Sequence, residues 1–279
     1  MVRTQTHSNL WIRCLSPRPE ARLRLFCFSH AGGGAASFRT WGQALPAEIE
    51  VCAVQLPGRE NRIREPAFDN LGALLPPLLK SLHPYLDKPF AFLGHSMGTI
   101  LCYEVALHLQ RTAQPAPFHV FVSGRQAPHI QSQRTSISLL SDVLFLDELQ
   151  RRYKGIPAVV LEDAELRSLM LPFLRADFTL VEKYQPVDVV PLHCPLSAFG
   201  GSEDDSVRRE DLEAWRMYTL RDFTLQMFPG DHFYLHQNPA PLLQLIGPSL
   251  LHSFRHSVRN QLPFTPAPFQ VINSHKVMG

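Results

Sequence analysis

The chain has 279 residues, of which 45% are hydrophobic and 19% charged, enough for one large domain or two small ones. A formal net charge of +2 is too weak a bias to favour nucleic acid or a membrane surface as partner. No apolar run reaches the roughly 18–20 residues that cross a bilayer, and the first residues lack the apolar segment of a signal peptide. The five cysteines are odd in number and contain no Cys-x-x-Cys pair, which favours reduced thiols in a cytoplasmic protein.

Short apolar runs along the chain predict β-strands. They are nearly continuous rather than alternating, which is typical of strands buried on both faces. The runs are 23–29, 50–55, 90–94, 119–124, 196–201 and 224–228. Helix-like segments between them, at 69–85, 97–110 and 209–216, favour a parallel sheet that is covered by helices on both sides.

The alternation of strand and helix is interrupted once, in the middle of the chain. Helical patterns at 141–153 and 163–184, with no convincing strand around them, predict a helical insertion in the sheet domain. We therefore divide the chain into an α/β core, an insertion and a polar, proline-punctuated tail that we expect to be poorly ordered. The core comprises 1–127 and 188–255, the insertion 128–187 and the tail 256–279.

The sequence Gly-His-Ser-Met-Gly follows one predicted strand and opens a predicted helix. This is the Gly-x-Ser-x-Gly pattern in the strand–turn–helix context that exposes a nucleophilic serine above a sheet, so Ser96 is the candidate nucleophile. The alternative is a tight turn with an incidental serine. We interpret His95 as a packed turn residue rather than as the base, because neighbouring side chains on such a turn point apart.

A serine hydroxyl needs a base, and in this architecture the chain order is serine, then a carboxylate, then histidine. Among thirteen histidines, His232 follows the last predicted strand, where the base is expected, and His236 is the reserve candidate. The loop after the preceding strand offers Glu203, Asp204 and Asp205, which this rule does not rank. The alternative for that loop is a solvated acidic turn.

Three consecutive glycines, Gly32 to Gly34, follow the first predicted strand. Their spacing fits neither the dinucleotide-binding nor the phosphate-loop pattern, so a nucleotide is disfavoured. Acyl transfer through serine builds negative charge on the former carbonyl oxygen, which needs N–H donors already in place. In lipases a glycine loop of this kind supplies one donor, and the residue after the nucleophile, here Met97, supplies the other.

Further motifs make the chain resemble a known family. In chain order they are FSHAGGGAASF, VQLPGRENR, KPFAFLGHSMG, FVSGRQAPH, LPFLRADF, EAWR and FPGDHFYL. Together they resemble the type II thioesterases that accompany non-ribosomal peptide and polyketide synthases, and the related medium-chain fatty-acyl thioesterases share much of the pattern. The resemblance spans roughly residues 11–239.

This resemblance implies an α/β-hydrolase fold with a helical lid, and hydrolysis of acyl groups from the phosphopantetheine thiol of a carrier protein. No cofactor or metal is expected. The residues carried over are the nucleophile Ser96, the base His232, the acid Asp204, and the amides of Ala31 and Met97 as oxyanion donors. Expected partners are acyl- or peptidyl-carrier domains, with no nucleic acid and no membrane, and the expected state is a cytoplasmic monomer.

The family's acid stands three residues after the second glycine of its Gly-Gly-x-x-Asp segment, which is Gly201 here. A second aspartate, Asp205, stands where proline is common, and 154–160 departs from the family's Gly-Thr-Pro, so no acyl-chain preference is carried over. Arg59 and Arg125 lie in family motifs, and we interpret both as residues that anchor loops. Alternative functions are a medium-chain fatty acyl-carrier thioesterase, another acyltransferase or esterase of this fold, and a non-catalytic homologue that binds carrier proteins.

Overall fold

A seven-stranded sheet forms the centre of the computed structural model, which describes residues 9–131, 134–155, 158–186 and 188–260. The strands are β1 (Ile12–Arg13), β2 (Leu23–Phe28), β3 (Ile49–Val54), β4 (Phe90–His95), β5 (Val120–Ser123), β6 (Leu196–Gly201) and β7 (Phe223–Phe228). Their order across the sheet is β1-β3-β2-β4-β5-β6-β7, and only the β1–β3 pair is antiparallel. The predicted, mostly parallel sheet is therefore confirmed.

Helices pack against both faces of this sheet. The α-helices of the described residues are α1 (Trp41–Ala44), α2 (Leu71–Leu82), α3 (Met97–Arg111), α4 (Asp142–Tyr153), α5 (Ala158–Glu162), α6 (Ala164–Lys183), α7 (Arg209–Glu213), α8 (Tyr234–Gln237) and α9 (Ala240–Asn260). None of the helices described is long and apolar enough to pass through a bilayer.

The two faces of the sheet bury separate sets of side chains, because residues along a strand alternate in direction. Phe26, Phe28 and Phe92 face the layer formed by α2, α3 and part of α6. Leu25 and Leu93 face the layer that holds α1 and α9. This double burial explains why the strands are apolar at nearly every position.

Helix α9 is missing from the predicted elements. Leu242, Ile246, Leu250 and Phe254 recur every four residues, so one side of the helix is buried against the sheet. The helix continues to Asn260, five residues into the segment that the sequence assigns to a tail. The remainder of that predicted tail, 261–279, lies outside the described residues.

Helices α4, α5 and α6 follow β5 and precede β6 in the chain, and residues of α4 and α6 line a cavity with Ser96 and His232 at the carboxyl edge of the sheet, so we call these three helices the lid. They form a small core of their own, in which Phe145, Leu149 and Leu174 are buried. Asp163 caps α6 by accepting bonds from two backbone amides of its first turn, at 2.8 and 3.1 Å. Further along α6, Leu180 joins the main core, which connects this helical layer to the sheet domain.

Candidate active site

Ser96 is the single residue between the end of β4 and the start of α3. Its backbone conformation is strained, with φ of +54°. The turn is tight on both sides. A Cβ at Gly94 would lie 2.3 Å from the carbonyl oxygen of Gly98, and one at Gly98 would lie 2.1 Å from that of Phe28. Only glycine fits these two positions, which is the physical reason for the Gly-x-Ser-x-Gly spacing.

His95 points away from the cavity and into the protein interior. Its Nδ1 lies 2.9 Å from the Ser123 hydroxyl, which in turn lies 2.7 Å from the hydroxyl of Tyr234. Burial holds the pKa of His95 well below the ordinary histidine value. The side chain thus packs beneath the turn, where the sequence interpretation puts it.

The loops after β6 and β7 are bonded to one another, which brings an acid and a histidine together. Ser202 N donates to Phe228 O at 2.7 Å, and Glu203 N donates to Gly230 O at 2.9 Å. As a result, His232 Nδ1 lies 2.7 Å from Asp204 Oδ2, and both side chains are almost fully buried.

Among the three acidic candidates, the structure brings Asp204 to His232 and leaves Glu203 and Asp205 exposed. Burial by itself would raise the pKa of Asp204. The hydrogen bond and charge of His232, with bonds from Ser206, outweigh burial and lower that pKa. Asp204 is therefore an ionised acceptor that can orient the imidazole.

Ser206 is a member of this cluster that the sequence motifs do not indicate. Its amide donates to Asp204 Oδ1 at 2.8 Å, and its hydroxyl bonds the same oxygen and lies 3.1 Å from His232 Nδ1. The available signal is a serine two residues after an acid, which is a common turn pattern.

The reserve candidate, His236, has a different neighbour. Its Nε2 lies 3.1 Å from His30 Nδ1, on the side of the glycine loop. Burial, with a smaller effect from His232, lowers the pKa of His236 to about 4. No hydrogen bond to a carboxylate orients this ring within the described residues, in contrast to His232.

The glycine loop faces Ser96 across the carboxyl edge of the sheet. Gly32 has φ of +83°, and its amide donates to Asp177 Oδ2 at 2.7 Å. Ala31 and Gly32 line the same cavity as Ser96 and His232. In the part of the chain that the structure describes, no hydrogen bond uses the amide of Ala31 or of Met97 as its donor.

Arg59 and Asp177 form a buried ion pair beside this loop. Arg59 Nη1 and Nη2 donate to the two carboxylate oxygens at 2.7 and 2.8 Å. Arg59 Nη1 also donates to Gly33 O at 3.2 Å, so it anchors the loop. Asp177 lies within the motif LPFLRADF, but the sequence assigns it neither a role nor a partner.

Two cavities meet at Ser96 and His232. The first holds about 240 Å³, and the lid residues Leu149, Met170 and Leu174 give it an apolar wall. The second holds about 640 Å³, and its wall is mostly polar. Both cavities are lined by Ser96, Arg125, Tyr153, Phe178, Val181 and His232.

A mostly parallel sheet with a serine turn after β4, an acid after β6 and a histidine after β7 defines an α/β-hydrolase. The sequence model of the thioesterase domain family matches residues 23–250. The chain therefore belongs to the thioesterase family and is a thioesterase, and the expected resemblance is confirmed.

Individual relatives agree with this assignment. The gramicidin S biosynthesis protein GrsT of Aneurinibacillus migulanus is 43% identical over 238 residues, 85% of this chain and 93% of that protein. The medium-chain S-acyl fatty acid synthase thioesterase of Rattus norvegicus is 37% identical over 233 residues, 80% of this chain and 86% of that protein. The solved structure of RedJ, a thioesterase from the prodiginine pathway of Streptomyces coelicolor, has a TM-score of 0.77 and 38% identity, covering 83% of this chain and 92% of that one.

Proposed function

We propose that this protein is a type II, or editing, thioesterase. It hydrolyses acyl groups from the phosphopantetheine thiol of carrier proteins in non-ribosomal peptide or polyketide biosynthesis. The observation that carries the proposal is the buried bond between His232 and Asp204, in a cavity wall shared with Ser96. The biosynthetic roles in the names of GrsT and RedJ support the pathway class.

In the proposed mechanism, Ser96 Oγ attacks the thioester carbon while His232 Nε2 removes its proton. Asp204 holds the Nδ1–H and stabilises the imidazolium that forms. The amides of Ala31 and Met97 donate to the oxyanion, and collapse breaks the C–S bond and expels the pantetheine sulfur as a thiolate, which takes the proton from His232 and leaves as the thiol. His232 then removes a proton from a water molecule that attacks the acyl-serine, and collapse expels Ser96 Oγ, which takes that proton from His232 while the free carboxylic acid is released.

We assign a different part of the substrate to each of the two cavities. The apolar cavity under the lid suits an acyl group, and the larger polar cavity suits the amide-containing pantetheine arm. The nucleophile, base, acid and oxyanion donors all come from the chain itself, so the mechanism requires no cofactor. We further propose that the enzyme acts as a cytoplasmic monomer on carrier domains.

A second candidate is a medium-chain fatty acyl-carrier thioesterase. The 37% identity to the rat medium-chain enzyme supports it, against 43% to GrsT. The two candidates differ in the acyl group that reacts fastest. An editing enzyme should accept short and varied groups, such as acetyl and aminoacyl, whereas the fatty-acyl enzyme should prefer chains of medium length.

The experiment is a panel of acetyl-, aminoacyl- and decanoyl-carrier proteins, with hydrolysis followed by mass spectrometry. Ser96→Ala should remove nearly all turnover, by a factor on the order of 10⁶, with the fold intact. Ser168→Ala, an exposed serine on α6, serves as the matched control. A Ser96→Ala protein that keeps a tenth of the wild-type rate would refute the assignment.

A further inference from the structure

Arg125 follows β5 and Gly124 at the carboxyl edge of the sheet, next to the active site. Its main chain is fixed, because Trp215 Nε1 donates to Arg125 O at 2.8 Å and Gly124 N donates to Phe199 O at 2.9 Å. Arg125 lines both cavities, as Ser96 does. The residue therefore stands where the proposed acyl cavity meets the proposed arm cavity.

Among the described residues, the Arg125 side chain lacks a polar partner, whereas three other charged side chains that line the second cavity, Arg134, Arg152 and Glu182, have one. Within the described ranges, it makes no hydrogen bond and no ion pair. By contrast, Arg152 bonds Glu148 at 2.8 Å, Arg134 bonds Asp205 O at 2.7 Å, and Glu182 accepts the Ile137 amide at 2.7 Å. The sequence interpretation of Arg125 as a loop anchor thus fits its carbonyl group but not its guanidinium.

Removing a guanidinium from water without a counter-anion costs free energy. The group cannot avoid this cost by losing its proton, because arginine stays protonated at physiological pH. Arg125 is half-buried, and this burial lowers the pKa of its guanidinium from the usual value. A planar guanidinium forms two parallel bonds with a carboxylate or a phosphate, so an arriving oxyanion relieves the cost. A guanidinium of this kind offers its positive charge and its paired N–H donors before the substrate binds.

We propose that Arg125 binds an anionic oxygen group of the substrate, a carboxylate or a phosphate, as the acyl-loaded arm enters the site. This rests on the proposed function, because it assigns the substrate group that one residue of that site recognises. Two groups of a carrier-bound thioester have this chemistry. One is the phosphodiester of the arm, and the other is a free carboxylate on an acyl group of the malonyl type.

Binding measurements on the Ser96→Ala protein distinguish these two sources, since thioesters should remain intact on that protein. One pair of ligands is 4′-phosphopantetheine and pantetheine, which differ in the phosphate. The other pair is malonyl- and isovaleryl-N-acetylcysteamine, which differ in a carboxylate against an isopropyl group of similar shape. Dissociation constants are measured by calorimetry with and without the additional change Arg125→Met.

We expect the anionic member of one pair to lose about tenfold to a hundredfold in affinity in Arg125→Met, and its neutral partner to lose much less. Arg125→Lys keeps the charge but not the paired donors, and should fall between. Arg216→Met is the matched control: this exposed arginine, bonded to Glu213 at 2.8 Å, lines neither cavity. A loss confined to phosphopantetheine assigns the phosphodiester, and a loss confined to the malonyl compound assigns the acyl carboxylate.

Equal losses on all four ligands, or no loss on any, would overturn the proposal. So would a Ser96→Ala protein that binds neither anion more tightly than its neutral partner. Salt gives a second measurement without altering Arg125, because the affinity difference within the responding pair should shrink as ionic strength rises. Failure of the proposed function is a separate result, namely no turnover of any acyl-carrier protein by the wild type.

Discussion

A bidentate ion pair joins Asp177 on the lid helix α6 to Arg59 in the loop after β3. The two side chains are only 2% and 3% exposed. The same carboxylate accepts the amide of Gly32, so one aspartate joins the lid, the Arg59 loop and the glycine loop. Because the Gly32 peptide follows Ala31, this bond fixes the backbone that carries a proposed oxyanion donor.

Asp177→Asn should lower both stability and turnover. Removing one partner leaves a buried guanidinium without its counter-charge, which costs about 3–5 kcal/mol. The less firmly held glycine loop should lower kcat by about 10- to 100-fold, with a smaller change in KM. Urea unfolding and steady-state kinetics on an acyl-carrier substrate measure the two effects.

The matched control is Asp69→Asn, which breaks the exposed pair of Asp69 with Lys183 and should change stability by less than about 1 kcal/mol. The double variant Arg59→Met, Asp177→Leu separates the two roles. It should regain much of the stability without regaining kcat, since no group then holds Gly32. Full recovery of kcat in the double variant would show that the aspartate does not position the loop.

Asp204→Asn and Asp205→Asn test which acid serves His232. Asparagine keeps the shape of Asp204 but not the charge that stabilises the imidazolium, so we expect roughly a 10⁴-fold loss of kcat. Asp205 is exposed and its variant should stay close to wild type. Comparable losses in the two variants would contradict the assignment of the acid.

Leu174→Ala should change the preference for acyl chains. Leu174 lines the apolar cavity and lies so close to Gly32 that a Cβ there would be 2.5 Å from its Cδ2. Enlarging this wall should alter the ratio of decanoyl to acetyl hydrolysis more than the acetyl rate itself. The ratio is measured on the two acyl-carrier substrates.

Leu146→Ala is the control for that experiment, because Leu146 is buried in the same lid core but does not line the cavity. Both variants should lose about 2–5 kcal/mol of unfolding free energy. An unchanged substrate ratio in Leu174→Ala, with stability lost as in Leu146→Ala, would mean that the lid only covers the sheet.

Stability should fall as the pH drops below about 6.5, the ordinary histidine value. Burial lowers the pKa of His30 and His95 well below it, of His236 to about 4 and of His119 to about 3. The unfolded chain then binds protons that the folded chain does not. Each such histidine costs about 1.4 kcal/mol per pH unit between its unfolded and folded pKa.

Urea unfolding from pH 7.5 to 4.5 measures this slope. His119→Gln provides an internal control, because His119 lies away from the site, between Ser253 and Ser197 at 2.9 Å each. That variant should reduce the dependence of unfolding free energy on pH by the contribution of one proton, about 1.4 kcal/mol per pH unit. Unfolding free energies that stay level from pH 6.5 to 4.5 would contradict the burial of neutral histidines.

The sequence predicts the six longer strands, because strands buried on both faces have an apolar signal that is contained within each segment. Strand β1 is only two residues long and has no such signal. In α9, Pro248 interrupts an otherwise regular apolar spacing, and the helix is not predicted. Local patterns therefore suffice for the sheet but not for its antiparallel edge or its last covering helix.

For the site, motifs indicate Ser96 and His232 because each follows a strand, and family register adds Asp204. The ion pair of Arg59 with Asp177 joins residues 118 positions apart, and no local pattern encodes a pair so distant. The missing partner of Arg125 is likewise a property of three-dimensional packing. These long-range relationships hold the loops around the motif residues.

Chimeras that exchange the lid helices between thioesterases have to keep a carboxylate at the position of Asp177. The lid enters the fold between β5 and β6, so its ends could be joined to another core without changing the strands before Ser96, Asp204 and His232. A foreign helix with an apolar residue at the place of Asp177 would leave the host's arginine and glycine amide without their acceptor. Donor lids for this scaffold should therefore be chosen for a carboxylate at that one position before their cavity shape is considered.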